Sequence, residues 1–196
     1  KGPNTGGMGT FSPSPKYTDA VRAVVEETII RRTVDALNNE GVEFKGVLYF
    51  GLMLTKSGPK LLEYNARFGD PEAQVVLPRM KNDLLTVMNA VIDGRLDEIA
   101  LDWDERSAVC VVMASGGYPG SYPKGLPISG LDDVREAIVF HAGTVKQDGG
   151  YVTSGGRVLG VTSLGSNIAD ARQKAYAEVK KIRFEGAQYR SDIGIK

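Results

Sequence analysis

The chain is predicted to be an α+β protein, an antiparallel sheet with helices followed by a small α+β domain from about Glu105. Three observations predict this. A long apolar stripe at helical spacing follows a glycine-rich start, and two β-rich runs flank a Lys56-Ser57-Gly58-Pro59 turn. Beyond Trp103, short strand-like runs give way to a last helical stripe. No internal repeat or low-complexity tract competes with this pattern.

Taken in order, Gly2 to Pro15 is rich in glycine, proline and serine and reads as loop rather than helix or regular strand. Thr18 is a suitable N-cap for a helix running to about Asn39, with Val21, Val24, Val25, Ile29, Ile30, Val34 and Leu37 as its apolar stripe and Gly41 as its stop. Gly46 to Thr55 and Lys60 to Phe68 then form a hairpin. Asp70-Pro71-Glu72 has the form of a helix start, with an acidic cap and proline at the first helical position. Asn82-Asp83 opens a helix over Leu84 to Ile92, closed by Gly94, and Leu101 to Asp104 reads as a linker. Strands are expected at Ala108 to Ala114, near Ala137 to Phe140, at Gly143 to Gln147 and at Arg157 to Thr162. The last helix, Ile168 to Ile182, carries Ala171, Ala175, Val179 and Ile182 at helical spacing.

With 24 basic and 24 acidic residues among 196, the formal net charge is zero, which argues against nucleic acid as a partner. At 42% hydrophobic residues the chain can bury a sizeable core. A single cysteine, Cys110, lies in the apolar Ala108 to Ala114 run and reads as a buried, inert strand residue rather than a nucleophile. One cysteine and one histidine build neither an internal disulfide nor the usual zinc site, and a reducing cytoplasm is the expected compartment. No apolar run approaches the ~20 residues of a membrane helix, and no signal-peptide pattern is present, so no membrane partner is expected. The chain opens on Lys1-Gly2-Pro3 without an initiator methionine, so a start internal to a longer protein is expected.

The return strand of the hairpin carries the most chemistry. Period-2 alternation puts Glu63, Asn65 and Arg67 on one face and Leu62, Tyr64, Ala66 and Phe68 on the other, which should pack. Oxygens of Glu63 and Asn65 suit a hard cation such as Mg²⁺, and Arg67 suits an anionic substrate group held by two N–H bonds. On alternation alone, the solvated face of an antiparallel sheet is the plainer reading.

The strand runs directly into Ala66-Arg67-Phe68-Gly69-Asp70-Pro71-Glu72-Ala73-Gln74-Val75-Val76-Leu77, which resembles the signature of the glycinamide ribonucleotide synthetase (phosphoribosylamine–glycine ligase) family. The opening Gly-Pro-Asn-Thr-Gly-Gly-Met-Gly with Ser12-Pro13 and the Val47 to Leu54 strand are similar to that family in the expected order. Gly116-Gly117-Tyr118-Pro119, Phe140 to Thr144 and Thr153 to Leu159 resemble its C-terminal domain. The resemblance implies the second half of an ATP-grasp module over 1–103 and the family's C-terminal domain over 104–196. It also implies an ATP-dependent carbon–nitrogen ligase of purine biosynthesis, joining glycine to 5-phosphoribosylamine through a glycyl phosphate.

On that resemblance, Glu63 and Asn65 match the positions that hold Mg²⁺ or Mn²⁺ against ATP, and Arg67 matches the arginine that orients the carboxylate or stabilises the acyl phosphate. Relatives often carry a further acidic ligand about a dozen residues upstream. Here that place falls near Gly51, with no acid between Phe44 and Leu62. A second ion would then lean on Glu63 or be held by substrate and water. Asn4, Thr5, Gly6, Gly7 and Met8 are candidate substrate contacts through backbone N–H groups, although a plain connecting loop fits the same glycines. Asp70 is a substrate candidate beside its capping role, and Arg157 either reaches the ribose phosphate or is an ordinary surface arginine. His141 reads as structural. The adenine pocket and phosphate-binding lysines would lie upstream of Lys1, so the chain alone is not expected to turn over, and a monomer is expected. The alternatives are another ATP-grasp carboxylate–amine ligase and a non-catalytic binding module.

Overall fold

A computed structural model describes residues 2–195. The chain forms two compact units, each assembled from separate stretches: the first from residues up to 12, 70–81 and 103 onward, the second from 13–69 and 82–102. The three sheets among the described residues are antiparallel.

In the first unit, β1 (Gly9–Ser12), β4 (Ser107–Ala114), β9 (Arg157–Gly165) and β6 (Ile138–His141) form one sheet in the order β1-β4-β9-β6. A second sheet is ordered β5 (Pro127–Ile128), β8 (Gly150–Thr153) and β7 (Thr144–Gln147). Every residue of β4 is buried, and its period-2 alternation divides it between two apolar clusters. Val109, Val111 and Met113 join Val158, Leu159 and Val161 of β9 and the Ala171, Ala175 and Val179 stripe of α5 (Ile168–Val179). Ala108 and Cys110 face the other way, onto Val75 of α3 (Ala73–Val76). The side chain of Asn167 caps α5 by accepting from the Asp170 N–H. Arg79 ties separated segments of this unit, donating to the Ser12 hydroxyl at 2.7 Å and to the carbonyls of Asp104 and Arg106 at 3.1 and 2.8 Å.

In the second unit, Thr18 caps α1 (Asp19–Val25) as expected, its hydroxyl accepting from the Val21 N–H. A π-helical turn, Glu26–Ile30, joins α1 to α2 (Arg31–Asn39), which the apolar spacing does not reveal. The hairpin is β2 (Tyr49–Thr55) and β3 (Gly58–Asn65), and α4 (Leu84–Asp93) is capped by the Asp83 carboxylate and closed by left-handed Gly94. Val25 is fully buried, yet Val24 and Val34 are each 45% exposed, so the helical stripe is only partly covered. The only sheet of this unit among the described residues is the two-stranded hairpin, too narrow to cover the stripe. No helix among the described residues is long and apolar enough to cross a membrane.

Three local expectations are corrected. The opening segment is not wholly loop, because Gly9–Ser12 pairs with Val111 to Ala108. The return strand stops at Asn65, so its alternation does not extend to Arg67 or Phe68. Asp70 does not cap a helix at Pro71: α3 begins at Ala73 after Glu72, and the Asp70 carboxylate is engaged elsewhere. Strands β5 and β8 add to those expected.

Candidate functional site

On β3, Glu63 and Asn65 are two residues apart and share a face, and the Asn65 amide nitrogen lies 3.5 Å from Glu63 Oε1. A bulge sets their surroundings. Gly51 pairs with Glu63 and the next residue, Leu52, pairs with Leu61, so Leu62 is the extra residue on β3. The face expected to pack is instead open, with Leu62 63% and Tyr64 48% exposed; Tyr64 rests edge-on to Phe50 and shares a 2.8 Å hydrogen bond with Thr33. Glu63 lies over Gly51, where a Cβ would come within 2.8 Å of Glu63 Cγ. Any side chain at position 51 would therefore have to displace Glu63.

No group of three or more His, Cys, Asp or Glu residues able to hold a metal occurs among the described residues. A carboxylate beside an amide is a hard-oxygen donor pair, and Mg²⁺ usually takes only one or two protein carboxylates, filling its sphere with phosphate oxygens and water. The residues present therefore fit such an ion. Arg67 is exposed and lies beyond the strand end, where its Nη1 donates to the Phe68 carbonyl at 2.7 Å.

The other expected residues lie in the first unit. Arg157, the first residue of β9, donates through Nη1 to the Asp70 carbonyl at 2.8 Å and the Gly7 carbonyl at 3.2 Å, and through Nη2 to the Asp70 carboxylate at 2.9 Å. The other Asp70 oxygen accepts from the Gln74 amide at 2.9 Å. Gly6 N–H donates to the Tyr118 hydroxyl at 3.1 Å, and the Met8 carbonyl accepts from Val112 N–H. Asn4, Thr5 and Met8 line a cleft of about 570 Å³ with Gly2, Pro3, Tyr118, Pro119, Gln188, Tyr189 and Arg190. The Gln188 amide donates to the Ser115 and Tyr118 carbonyls, fixing that wall. The structure thus groups Gly6, Gly7, Asp70 and Arg157 in the first unit and pairs Glu63 with Asn65 in the second. Sequence reasoning gave no role to Tyr118, Gln188 or Gln74; an aromatic inside a Gly-Gly-Tyr-Pro loop was the one available signal.

Cys110 is buried within β4, as its apolar run predicts. His141 Nδ1 lies 3.0 Å from the Thr144 hydroxyl and its ring lies against Tyr151. Glu178 is buried; burial pushes its carboxyl up, but bonds from Lys181 and the Arg135 N–H outweigh that and hold it below the ordinary range. Burial pushes the Cys110 thiol up to about 11, so at pH 8 it is neutral as well as enclosed. Cys110 is expected to resist a disulfide thiol reagent at pH 8 in the folded chain and to react fully in denaturant. A stoichiometric reaction of the native protein would contradict this.

The chain matches two domain models: "Phosphoribosylglycinamide synthetase, ATP-grasp (A) domain" over 1–73 and "Phosphoribosylglycinamide synthetase, C domain" over 108–196. It is 53% identical over 193 residues to a phosphoribosylamine–glycine ligase of Caldanaerobacter subterraneus subsp. tengcongensis, covering 98% of the chain and 46% of that protein. It is 52% identical over 199 residues to the trifunctional purine biosynthetic protein adenosine-3 of Gallus gallus, covering 100% of the chain and 20% of that protein. Among solved structures, a phosphoribosylamine–glycine ligase of Thermotoga maritima aligns with a TM-score of 0.84 and 36% identity over 98% of the chain and 47% of its own. The biotin carboxylase domain of a thermophilic 2-oxoglutarate carboxylase, 14% identical with a TM-score of 0.62 over 93% of the chain and 41% of its own, shares the fold. The chain spans about half the length of the single-function ligases it matches.

Proposed function

Because the chain belongs to the phosphoribosylglycinamide synthetase family, we propose that it is part of an ATP-dependent ligase that joins glycine to 5-phosphoribosylamine. The products are glycinamide ribonucleotide, ADP and phosphate, in purine biosynthesis. On this reading residues 1–103 complete an ATP-grasp domain and 104–196 form the C-terminal domain; the enzyme is a cytoplasmic monomer. The observation that supports it best is the Glu63 and Asn65 pair, a hard-oxygen donor set on one strand face immediately before the Arg67 to Glu72 run.

A glycine carboxylate oxygen attacks the γ-phosphorus as the bond to the ADP oxygen breaks. The amine of phosphoribosylamine then attacks the acyl carbon, phosphate leaves and the nitrogen loses a proton. Glu63 and Asn65 would hold Mg²⁺ or Mn²⁺, which when bound neutralises charge on the phosphate oxygens. Arg67, whose present acceptor is only a neighbouring carbonyl, can turn its planar fork to the carboxylate and the acyl phosphate. Exposed Asn4, Thr5 and Gly7 and half-buried Met8 would offer their backbone N–H groups to an anionic substrate, whereas the Gly6 N–H is already spoken for by Tyr118. Asp70 and Arg157 chiefly hold each other, and through that pair they support the substrate loop.

The test is steady-state kinetics of the full-length enzyme containing this chain, following ADP release that depends on both glycine and phosphoribosylamine. Arg67→Lys keeps the charge and loses the fork, and should cut kcat/KM at least about tenfold, or about 1.4 kcal/mol. Wild-type kinetics in this variant would remove Arg67 from the site, and no glycine-dependent ADP release in the wild type would overturn the proposed function.

A further inference from the structure

A glycine-rich loop that presents N–H groups to an anion has a physical difficulty. Glycines give the backbone the freedom to approach a ligand, and the same freedom must be lost when the ligand is held. Such a loop works best when something else has already fixed it. Among Asn4 to Gly9 the side chains are few, so the fixing has to come from outside the loop.

Two side chains distant in sequence do this. Arg157 reaches three acceptors at once: the Gly7 carbonyl, the Asp70 carbonyl and the Asp70 carboxylate. Tyr118 accepts the Gly6 N–H through its hydroxyl. The contacts interlock sterically. A Cβ on Gly6 would lie 3.1 Å from Arg157 Cζ and 3.3 Å from the Tyr118 hydroxyl, and one on Gly7 would lie 2.5 Å from Pro71 Cδ. Tyr118 in turn lies close against Gly156, where a Cβ would meet the ring at 2.2 Å. Arg157 stands at the start of a strand whose next residues are in the core, its side chain only 24% exposed. Asn4, Thr5 and Met8 of the same loop line the cleft, and Tyr118 lines it too.

We propose that Arg157 and Tyr118 are positioning residues that lock the glycine-rich loop as a preformed wall for the anionic ribonucleotide substrate, Arg157 acting through the Gly7 and Asp70 backbone rather than as a ligand. This rests on the proposed ligase function and deepens it. A lysine at 157 retains one charge for the Asp70 carboxylate but cannot serve three acceptors in the plane of a fork.

The experiment uses the full-length enzyme and two readouts. Calorimetry with glycinamide ribonucleotide should show Arg157→Lys weakened about tenfold and Tyr118→Phe a few-fold, with Mg-ATP affinity unchanged within about twofold. Hydrogen exchange should quicken about tenfold or more in residues 2–9 of Arg157→Lys while β4 and α5 keep their protection. Wild-type affinity for glycinamide ribonucleotide in Arg157→Lys, or exchange that quickens equally throughout the first unit, would overturn the inference. A wild-type enzyme that binds no glycinamide ribonucleotide would overturn the ligase function itself, and this inference with it.

Discussion

Glu63→Ala in the full-length enzyme is expected to lower Mg²⁺-dependent ligation by about a hundredfold or more, with the melting temperature unchanged within about 2 °C. The two halves of this expectation come from the same geometry. Glu63 is exposed on a two-stranded ribbon, so its removal opens no core cavity and costs little stability. It also contributes the only carboxylate of a two-residue donor pair, and opposite it stands Gly51, which brings no side chain able to substitute. Raising Mg²⁺ should recover part of the lost rate, because the phosphate oxygens still attract the ion. Initial rates across a Mg²⁺ titration check this, and wild-type turnover at ordinary Mg²⁺ would remove Glu63 from the metal site.

Much of the fold is legible in sequence where a local interaction decides it. Thr18, Asp83 and Gly94 mark helix ends because a cap acts within one turn. The β4 run reads as buried because both its faces are apolar, one against α5 and one against Val75. The Glu63 and Asn65 pair is legible because strand alternation survives across two residues. The bulge at Leu62 and the strand end at Asn65 defeat the longer pattern, since both depend on pairing with β2 rather than on β3 itself. The opening strand is hidden for a similar reason: Gly9–Ser12 becomes a strand only through β4, about a hundred residues on. Asp70 resembles a helix cap locally, and a distant arginine takes its carboxylate instead. Tyr118 is illegible because its role is fixed by Gly6 and Gly156, one far upstream and one far downstream.

Gly165→Ala is expected to destabilise the purified chain by about 3 kcal/mol, lowering its melting temperature by roughly 6 to 12 °C. Gly165 ends β9 opposite Ser107, and a Cβ there would sit 2.3 Å from the Ala171 backbone nitrogen and 2.8 Å from its Cα. Those atoms belong to the first turns of α5, which is anchored to the core through Ala171, Ala175 and Val179, so the helix cannot retreat without opening the cluster it seals. Gly149→Ala is the matched comparison. That glycine has φ +81° in the turn between β7 and β8, and a Cβ there meets nothing within 4 Å. Its replacement should cost only the left-handed backbone penalty of about 1 kcal/mol, or roughly 2 to 4 °C. Thermal unfolding of both variants beside wild type separates the two causes. If Gly165→Ala melted with Gly149→Ala or above it, close approach of β9 and α5 would not be what requires glycine at 165.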